Sequence, residues 1–275
     1  MLFEILSSIE VTASAAVIVA TLAFALAATP RLRLLVASAA TVWFVVVVLL
    51  GATLALNARG GVGTPGLGAA VALPIVAICL AFFTAPSVRA ALFAIPLRVL
   101  VAVNVARVLG VSFVLLYAAN RLPAPFAPSA GWGDIIVGIA AAPVAWLVGR
   151  HGERARALTL AWNTIGVIDL IAAIGFGATS VPGPLQIFTG APDSAIMTTL
   201  PWILIPGFLV PSYLALHIAI FYRLSRTSLS ALAPGGRSES VRADRARRST
   251  GVLARDARPI GVFGGLYRIL DHMSA

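Results

Sequence analysis

Residues 157–178 read ALTLAWNTIGVIDLIAAIGFGA. As a helix this window is long enough to cross the hydrocarbon core of a bilayer, which is roughly 30 Å thick and takes about 20 apolar residues. It also contains Asn163 and Asp169, and a carboxylate at the centre of a membrane helix costs about 2.5 to 3.5 kcal/mol unless a partner or a wet cavity compensates for it. The stretch therefore predicts both a membrane fold and a polar site within it.

The composition of the whole chain agrees with a membrane protein. Of the 275 residues, 60% are apolar and 11% are charged, and the mean hydropathy is +0.98. All 20 basic residues are Arg and the net charge is +10. Because the Arg residues lie in loops and tail, they favour membrane orientation over nucleic-acid binding. The absence of Lys excludes a retinal Schiff base, and the single Cys79 has no partner for an internal disulfide.

Windows of spanning length recur along the chain. They predict an all-α, polytopic membrane helix bundle with seven transmembrane helices. The segment 87–97 is either a surface helix or an early start of the fourth span. The acidic start of the chain argues against a removable signal peptide, so we expect the first window to be a span. The seven windows are residues 9–28, 34–56, 67–85, 97–119, 132–149, 157–178 and 201–222.

Arg residues are distributed unequally between alternate loops. One set of loops holds only Arg59 and Arg121, whereas the other set and the tail hold nearly all the rest. This bias predicts an N-terminus outside and a C-terminus in the cytoplasm of a bacterial inner membrane. The Arg-rich loop set contains Arg31, Arg33, Arg89, Arg98, Arg150, Arg154 and Arg156.

The composition changes after residue 224. Residues 1–224 form the predicted transmembrane domain, and residues 225–275 lack the apolar periodicity of a core, which predicts a basic, mostly disordered cytoplasmic tail. Within it, residues 260–273 are either a short amphipathic helix on the anionic leaflet or a frayed terminus.

Two ionisable residues fall near the middle of the predicted membrane. Arg107 lies about ten residues into the fourth window and Asp169 about twelve into the sixth, both counted from the cytoplasmic side. If these spans are neighbours, the two side chains meet as an ion pair. The pair either locks helix packing or borders a cavity that binds a charged or polar ligand.

A second polar layer is expected nearer the cytoplasmic face. Asn104, Asn163 and His217 share a similar depth there. Hydrogen bonds between helices explain such residues without a ligand. His217 is the only His in a predicted span, so it cannot supply the two axial ligands of a membrane haem, and we expect no cofactor and no metal.

An outer rim is predicted at the start of the fifth window. In the motif GWGD, Asp134 is expected to cap the helix and face Arg121 across the loop, with Trp132 at the membrane interface. The alternative is the outward-facing rim of a binding site. In the last window, prolines at five-residue spacing predict a kinked or partly unwound outer half. This is either a purely structural kink or a place where the freed carbonyls line a cavity. The prolines are Pro201, Pro206 and Pro211.

Several of these pieces together resemble a widespread, uncharacterised family of bacterial multi-pass integral membrane proteins. The matching stretches, within residues 97–224, are GWGDIIVGIAAAP, AWN, VPGPLQIF and LPWILIPGFLVPSYLALH. Relatives often read FEGRNFD where this chain reads SAGWGD, and many lack an acid matching Asp169, so the Arg107–Asp169 pair is particular to this branch. The resemblance implies a membrane helix bundle and brings no activity.

These observations lead to a functional hypothesis. We expect a transport or binding protein for a small molecule, lipid or quinone, with its polar site between the fourth, sixth and seventh spans. The alternative is a non-catalytic accessory subunit that packs against partner membrane subunits. An enzyme is not expected, because no acid, base and nucleophile converge in the sequence. A lipid-modifying enzyme using Asp134 or His217 is the least favoured reading.

Overall fold

The structure is a computed structural model, and it describes residues 9, 11–18, 20, 30–57, 61 and 63–232. Within these residues the regular structure is entirely helical, with no strand. The chain divides into two units, Met1–Arg223 and Leu224–Ala275. Nearly all of the described residues belong to the first unit. The predicted amphipathic helix 260–273 lies outside the described residues.

Residues 11–18 are helical, and eight α-helices follow them. Three 3₁₀ turns and one π-helical turn interrupt or join these helices; they are Val103–Gly110, Gly152–Ala155, Ala195–Thr198 and, as the π turn, Ile205–Leu209. The α-helices are α1 (Pro30–Ala52), α2 (Thr64–Thr84), α3 (Pro86–Ala94), α4 (Leu97–Ala102), α5 (Val111–Ala118), α6 (Phe126–His151), α7 (Arg156–Thr179) and α8 (Val210–Leu232).

Five helical segments in the described part of the chain are long and apolar enough to cross a membrane. One of them, Phe126–Thr179, contains both α6 and α7, which correspond to the predicted fifth and sixth windows. Half of the first predicted window, 9–28, falls outside the described residues, and residues 11–18 within it are helical. The other four segments are Pro30–Ala52, Pro65–Thr84, Leu97–Ala118 and Ile205–Ser225.

Two helix boundaries bear on the predicted fourth and fifth spans. Helix α6 begins at Phe126 rather than at 132, inside the proline-containing stretch between the fourth and fifth windows. Its Pro128 falls in the first helical turn, where the N–H that Pro lacks has no partner within the helix. The segment 87–97 is not an early start of the fourth span, because α3 ends at Ala94 and a new helix begins after Pro96.

The 3₁₀ segment Val103–Gly110 lies directly against α6, and glycines permit this close approach. A Cβ atom on Gly138 would lie 2.5 Å from the backbone nitrogen of Val108, and one on Gly131 would lie 2.7 Å from a side-chain carbon of Val114. On the opposing segment, a Cβ on Gly110 would collide with Asp134. The tight contact holds the backbone around Arg107 next to the middle of α6.

The proline-rich stretch before α8 is distorted, as its sequence predicted. Residues 201–203 form turns, and a π-helical turn at Ile205–Leu209 precedes α8. Since Pro211 has no N–H to donate, the carbonyl of Gly207 loses its usual helical partner. The Trp43 Nε1 group donates a hydrogen bond to this carbonyl at 2.8 Å. The freed carbonyl is therefore satisfied by α1, which favours the structural kink over a cavity lining.

Candidate functional site

Arg107 lies at the centre of a buried polar cluster, and its side chain is 0% exposed. Its Nε donates a hydrogen bond to Asp134 Oδ1 at 2.7 Å, and its Nη2 donates to Asp169 Oδ2. One guanidinium thus forms ion pairs with a carboxylate from α6 and a carboxylate from α7. Charge-assisted contacts of this kind are stronger than neutral hydrogen bonds, and they fix the three segments relative to one another.

The third nitrogen of the guanidinium connects the cluster to α8. Arg107 Nη1 lies 3.1 Å from His217 Nε2 and donates to the Gly166 carbonyl at 3.4 Å. A guanidinium can only donate, so His217 Nε2 acts as the acceptor and the imidazole is neutral. The proton of the ring then resides on Nδ1, which lies 2.7 Å from Asn163 Oδ1. The Asn163 amide completes the pair by donating to the His217 carbonyl at 3.1 Å.

Two glycines of α6 and α7 make room for these contacts. A Cβ on Gly133 would collide with the Asp169 carboxylate. At Gly166 it would lie 2.5 Å from His217 Cε1 and 3.2 Å from Arg107 Nη1. Side chains at these positions would push the charged groups apart, so the cluster depends on glycine at both.

The sequence-predicted site residues are only partly brought together. The structure places Arg107, Asp169, Asn163 and His217 in one connected cluster, although the sequence predicted two separate layers. Asn104 does not join them: its Nδ2 donates to the Leu100 carbonyl, four positions earlier, at 3.0 Å, and its buried Oδ1 has no partner in the part of the chain that the structure describes. The predicted polar layer is therefore wrong for Asn104, whereas Asn163 and His217 do hydrogen-bond to each other.

The predicted outer rim is also different. The expectation that Asp134 caps a helix and faces Arg121 is wrong, because α6 begins eight positions earlier and Asp134 pairs with Arg107. Trp132 is 55% exposed and turns away from the cluster. Arg121 lines a separate, shallow depression together with Gln186 and Asp193. Of the three rim residues, Asp134 alone belongs to the cluster.

Tyr213 belongs to the site and was missed by the sequence analysis. Its ring centroid lies 5.7 Å from Arg107 Cζ, and the residue is only 5% exposed. A signal was available, since Tyr213 precedes His217 by four positions and so shares a helix face with it.

A cavity lies beside the cluster. It has about 40 Å³ of room for the centres of water molecules, above the roughly 10–15 Å³ that a single buried water requires. Its polar wall includes Arg107, Ser112, Asp134 and Tyr213, and apolar residues such as Phe113 and Leu170 complete it. The side chain of Asp134 is 18% exposed, and only one of its oxygens is bonded to Arg107. The cavity therefore gives small polar species a route to a buried carboxylate.

The described residues contain no group of three or more His, Cys, Asp or Glu side chains that could hold a metal ion. The arrangement instead offers one guanidinium, one carboxylate and a phenol hydroxyl at the wall of a small cavity. A second carboxylate and a neutral imidazole bond to the same guanidinium. Such a set can bind a small polar solute or exchange a proton.

Comparison with known proteins gives one match. A family model described as Domain of unknown function (DUF8737) matches residues 64–225, which is more than half of the chain and includes every residue of the cluster. No curated protein and no solved structure matches the chain.

Proposed function

We propose that this chain, which belongs to the family described as Domain of unknown function (DUF8737), is an integral protein of the bacterial inner membrane that binds or transports a small polar molecule. The role is non-enzymatic, and the binding groups are those of the Arg107 cluster. Ionisable residues within membrane segments generally line substrate or ion pathways.

The cavity at Asp134 is the observation that carries this proposal. A purely structural ion pair would be expected to be dry and closed, whereas Asp134 keeps one carboxylate oxygen unbonded at the cavity wall. The small volume favours a compact polar solute over a lipid or quinone, because drug-sized ligands occupy roughly 300–1,000 Å³. Transport would require the helices to open further around the cluster.

The proposed topology has seven spans, an outside N-terminus and a cytoplasmic C-terminus. The Arg bias between loops supports it. In a Cys79→Ala background, Glu153→Cys should react with a membrane-impermeant thiol reagent only after the inner face is opened. Asp193→Cys should react in intact cells. The reverse pattern would overturn the orientation.

Native mass spectrometry of gently solubilised protein tests the binding role. We expect the wild-type chain to carry a co-purifying small molecule that is lost in Asp134→Asn. In the control Glu153→Gln, which changes an exposed carboxylate in the α6–α7 turn, the molecule should remain. A wild-type chain that carries nothing, or an adduct that survives Asp134→Asn, would contradict a binding role for this cluster.

The alternative role, an accessory subunit of a larger membrane complex, has one supporting observation. Helix α1 is 11% buried and Pro65–Thr84 is 17% buried, against 50% for Leu97–Ala118. These exposed apolar faces suit either lipid or partner helices. A partner chain that co-purifies in the same mass spectrum, without a small molecule, would favour this role.

A further inference from the structure

The Arg107 cluster contains more negative than positive groups. Asp134 and Asp169 share a single guanidinium, and the hydrogen bond that Arg107 donates to His217 keeps that imidazole neutral. Tyr213, the remaining titratable group at the cavity, is neutral as a phenol. With both carboxyls ionised, the described part of the cluster would hold one uncompensated negative charge inside a membrane segment, which is strongly unfavourable.

We propose that this surplus is neutralised by one exchangeable proton carried on Asp134 Oδ2, so that the cluster is a proton site. The inference rests on the proposed function, in which the proton is the coupling ion for the bound solute. Asp169 remains the ionised partner of Arg107. On uptake, a hydronium ion in the cavity transfers a proton to Asp134 Oδ2 and leaves a water molecule; on release the proton passes back to a water molecule as hydronium.

Two features assign the proton to Asp134 rather than to Asp169. The Asp134 side chain is 18% exposed and lines the cavity, whereas Asp169 is 10% exposed and is not among the lining residues. The unbonded Asp169 oxygen is packed against Gly133. Water therefore reaches the Asp134 oxygen more readily.

Tyr213 adds a second polar group to the cavity wall beside Asp134. The residue is 5% exposed and lines the same cavity, so its hydroxyl is placed to hydrogen-bond with water or with a protonated carboxyl there.

A metal cation suits the site less well. Hard cations take about six or more oxygen ligands, whereas the cavity wall supplies one carboxylate and a few hydroxyls, including those of Ser14 and Ser112. The Arg107 Nε group, 2.7 Å from Asp134 Oδ1, would also repel a cation bound there.

Infrared spectroscopy of the purified protein tests the proposal without any solute. We expect one protonated carboxyl band per chain that shifts in D₂O. The band should vanish in both Asp134→Asn and Asp169→Asn, because either change leaves one carboxylate for one guanidinium. It should persist in the control Glu153→Gln. Asp134→Glu should shift its frequency, while Asp169→Glu should not.

Three outcomes would overturn the proton site. They are a wild-type protein without the band, a band that survives both Asn substitutions, and a band removed by sodium ions, which would indicate a cation site. Absence of the band from the wild-type spectrum would by itself overturn the proposal, even if a variant fails to fold. Since no solute is present, failure here leaves the mass-spectrometric test of solute binding unaffected, and the reverse also holds.

Discussion

Arg107 and Asp169 lie 62 positions apart in the chain, yet the guanidinium of the first donates directly to the carboxylate of the second within the helical core. The same guanidinium also bonds Asp134, so the pair is one half of a three-residue charge cluster. A cation shared by two carboxyl groups should respond to substitution differently from a simple ion pair, because the loss of one carboxyl group leaves the cation with a second partner.

Replacing Arg107 should be strongly destabilising. Arg107→Gln removes the only described cation of the cluster and leaves Asp134 and Asp169 buried without it. Removing one partner of a buried ion pair costs about 3–5 kcal/mol. We expect a loss of that size in the free energy of unfolding, measured by denaturation in mixed micelles, and no comparable loss in Arg154→Gln, which changes an exposed residue of the α6–α7 turn.

The shared cation predicts how the loss is recovered. The double variant Arg107→Gln, Asp169→Asn should recover only part of the stability, since Asp134 still lacks the hydrogen bond that Arg107 Nε donates to it. Adding Asp134→Leu, which leaves no polar group to satisfy, should restore most of the remainder. Full recovery in the double variant would mean that Asp134 contributes nothing to the cluster.

Gly133 should tolerate no side chain. A Cβ there would collide with the Asp169 carboxylate, and forcing extra volume into a packed site costs about 1–3 kcal/mol. The matched control is Gly175→Ala in α7, where a Cβ would meet nothing within 4 Å. Gly133→Ala should lower the midpoint of thermal unfolding in detergent while Gly175→Ala leaves it unchanged or raises it. Equal effects of the two substitutions would contradict the close contact.

The Arg107–Asp169 contact could be anticipated because helical rise alone sets the depth of a residue in an apolar window. The contact between Asp134 and Arg107 could not be anticipated, because the position of Asp134 depends on where α6 begins. A Pro-rich stretch reads as a loop, but Pro128 is accommodated in the first turn, and the earlier start carries Asp134 into the helix interior.

Rotational position within a helix was harder to predict than depth. Asn104 lies at a depth similar to that of Asn163 and His217. Its side-chain amide nevertheless donates to the Leu100 carbonyl, while Asn163 and His217 hydrogen-bond to each other. Tyr213 is four positions before His217 in the same regular helix, so their shared face was available from the sequence.

The tautomer of His217 is a direct consequence of its two neighbours. Because Arg107 Nη1 donates to Nε2, the proton must lie on Nδ1 and face Asn163. Nitrogen NMR of histidine-labelled protein should therefore give a His217 signal with a protonated Nδ1 and an unprotonated Nε2. In Asn163→Leu this preference should weaken, whereas the signal of His151, at the end of α6, should not change. A protonated Nε2 in the wild-type protein would contradict the hydrogen bond from Arg107.

The hydrogen bond from Trp43 to the Gly207 carbonyl should matter only because Pro211 is present. Trp43 Nε1 donates at 2.8 Å to the Gly207 carbonyl, which receives no helical hydrogen bond from Pro211 because proline has no N–H. Trp43→Phe should therefore lower the free energy of unfolding by about 1 kcal/mol, the net value of a typical hydrogen bond. In a Pro211→Leu background the restored N–H supplies a helical partner, so the same substitution should have a smaller effect. Trp146→Phe, at a partly exposed position of α6, controls for the loss of an indole, and an equal loss from Trp43→Phe in both backgrounds would refute the coupling between Trp43 and Pro211.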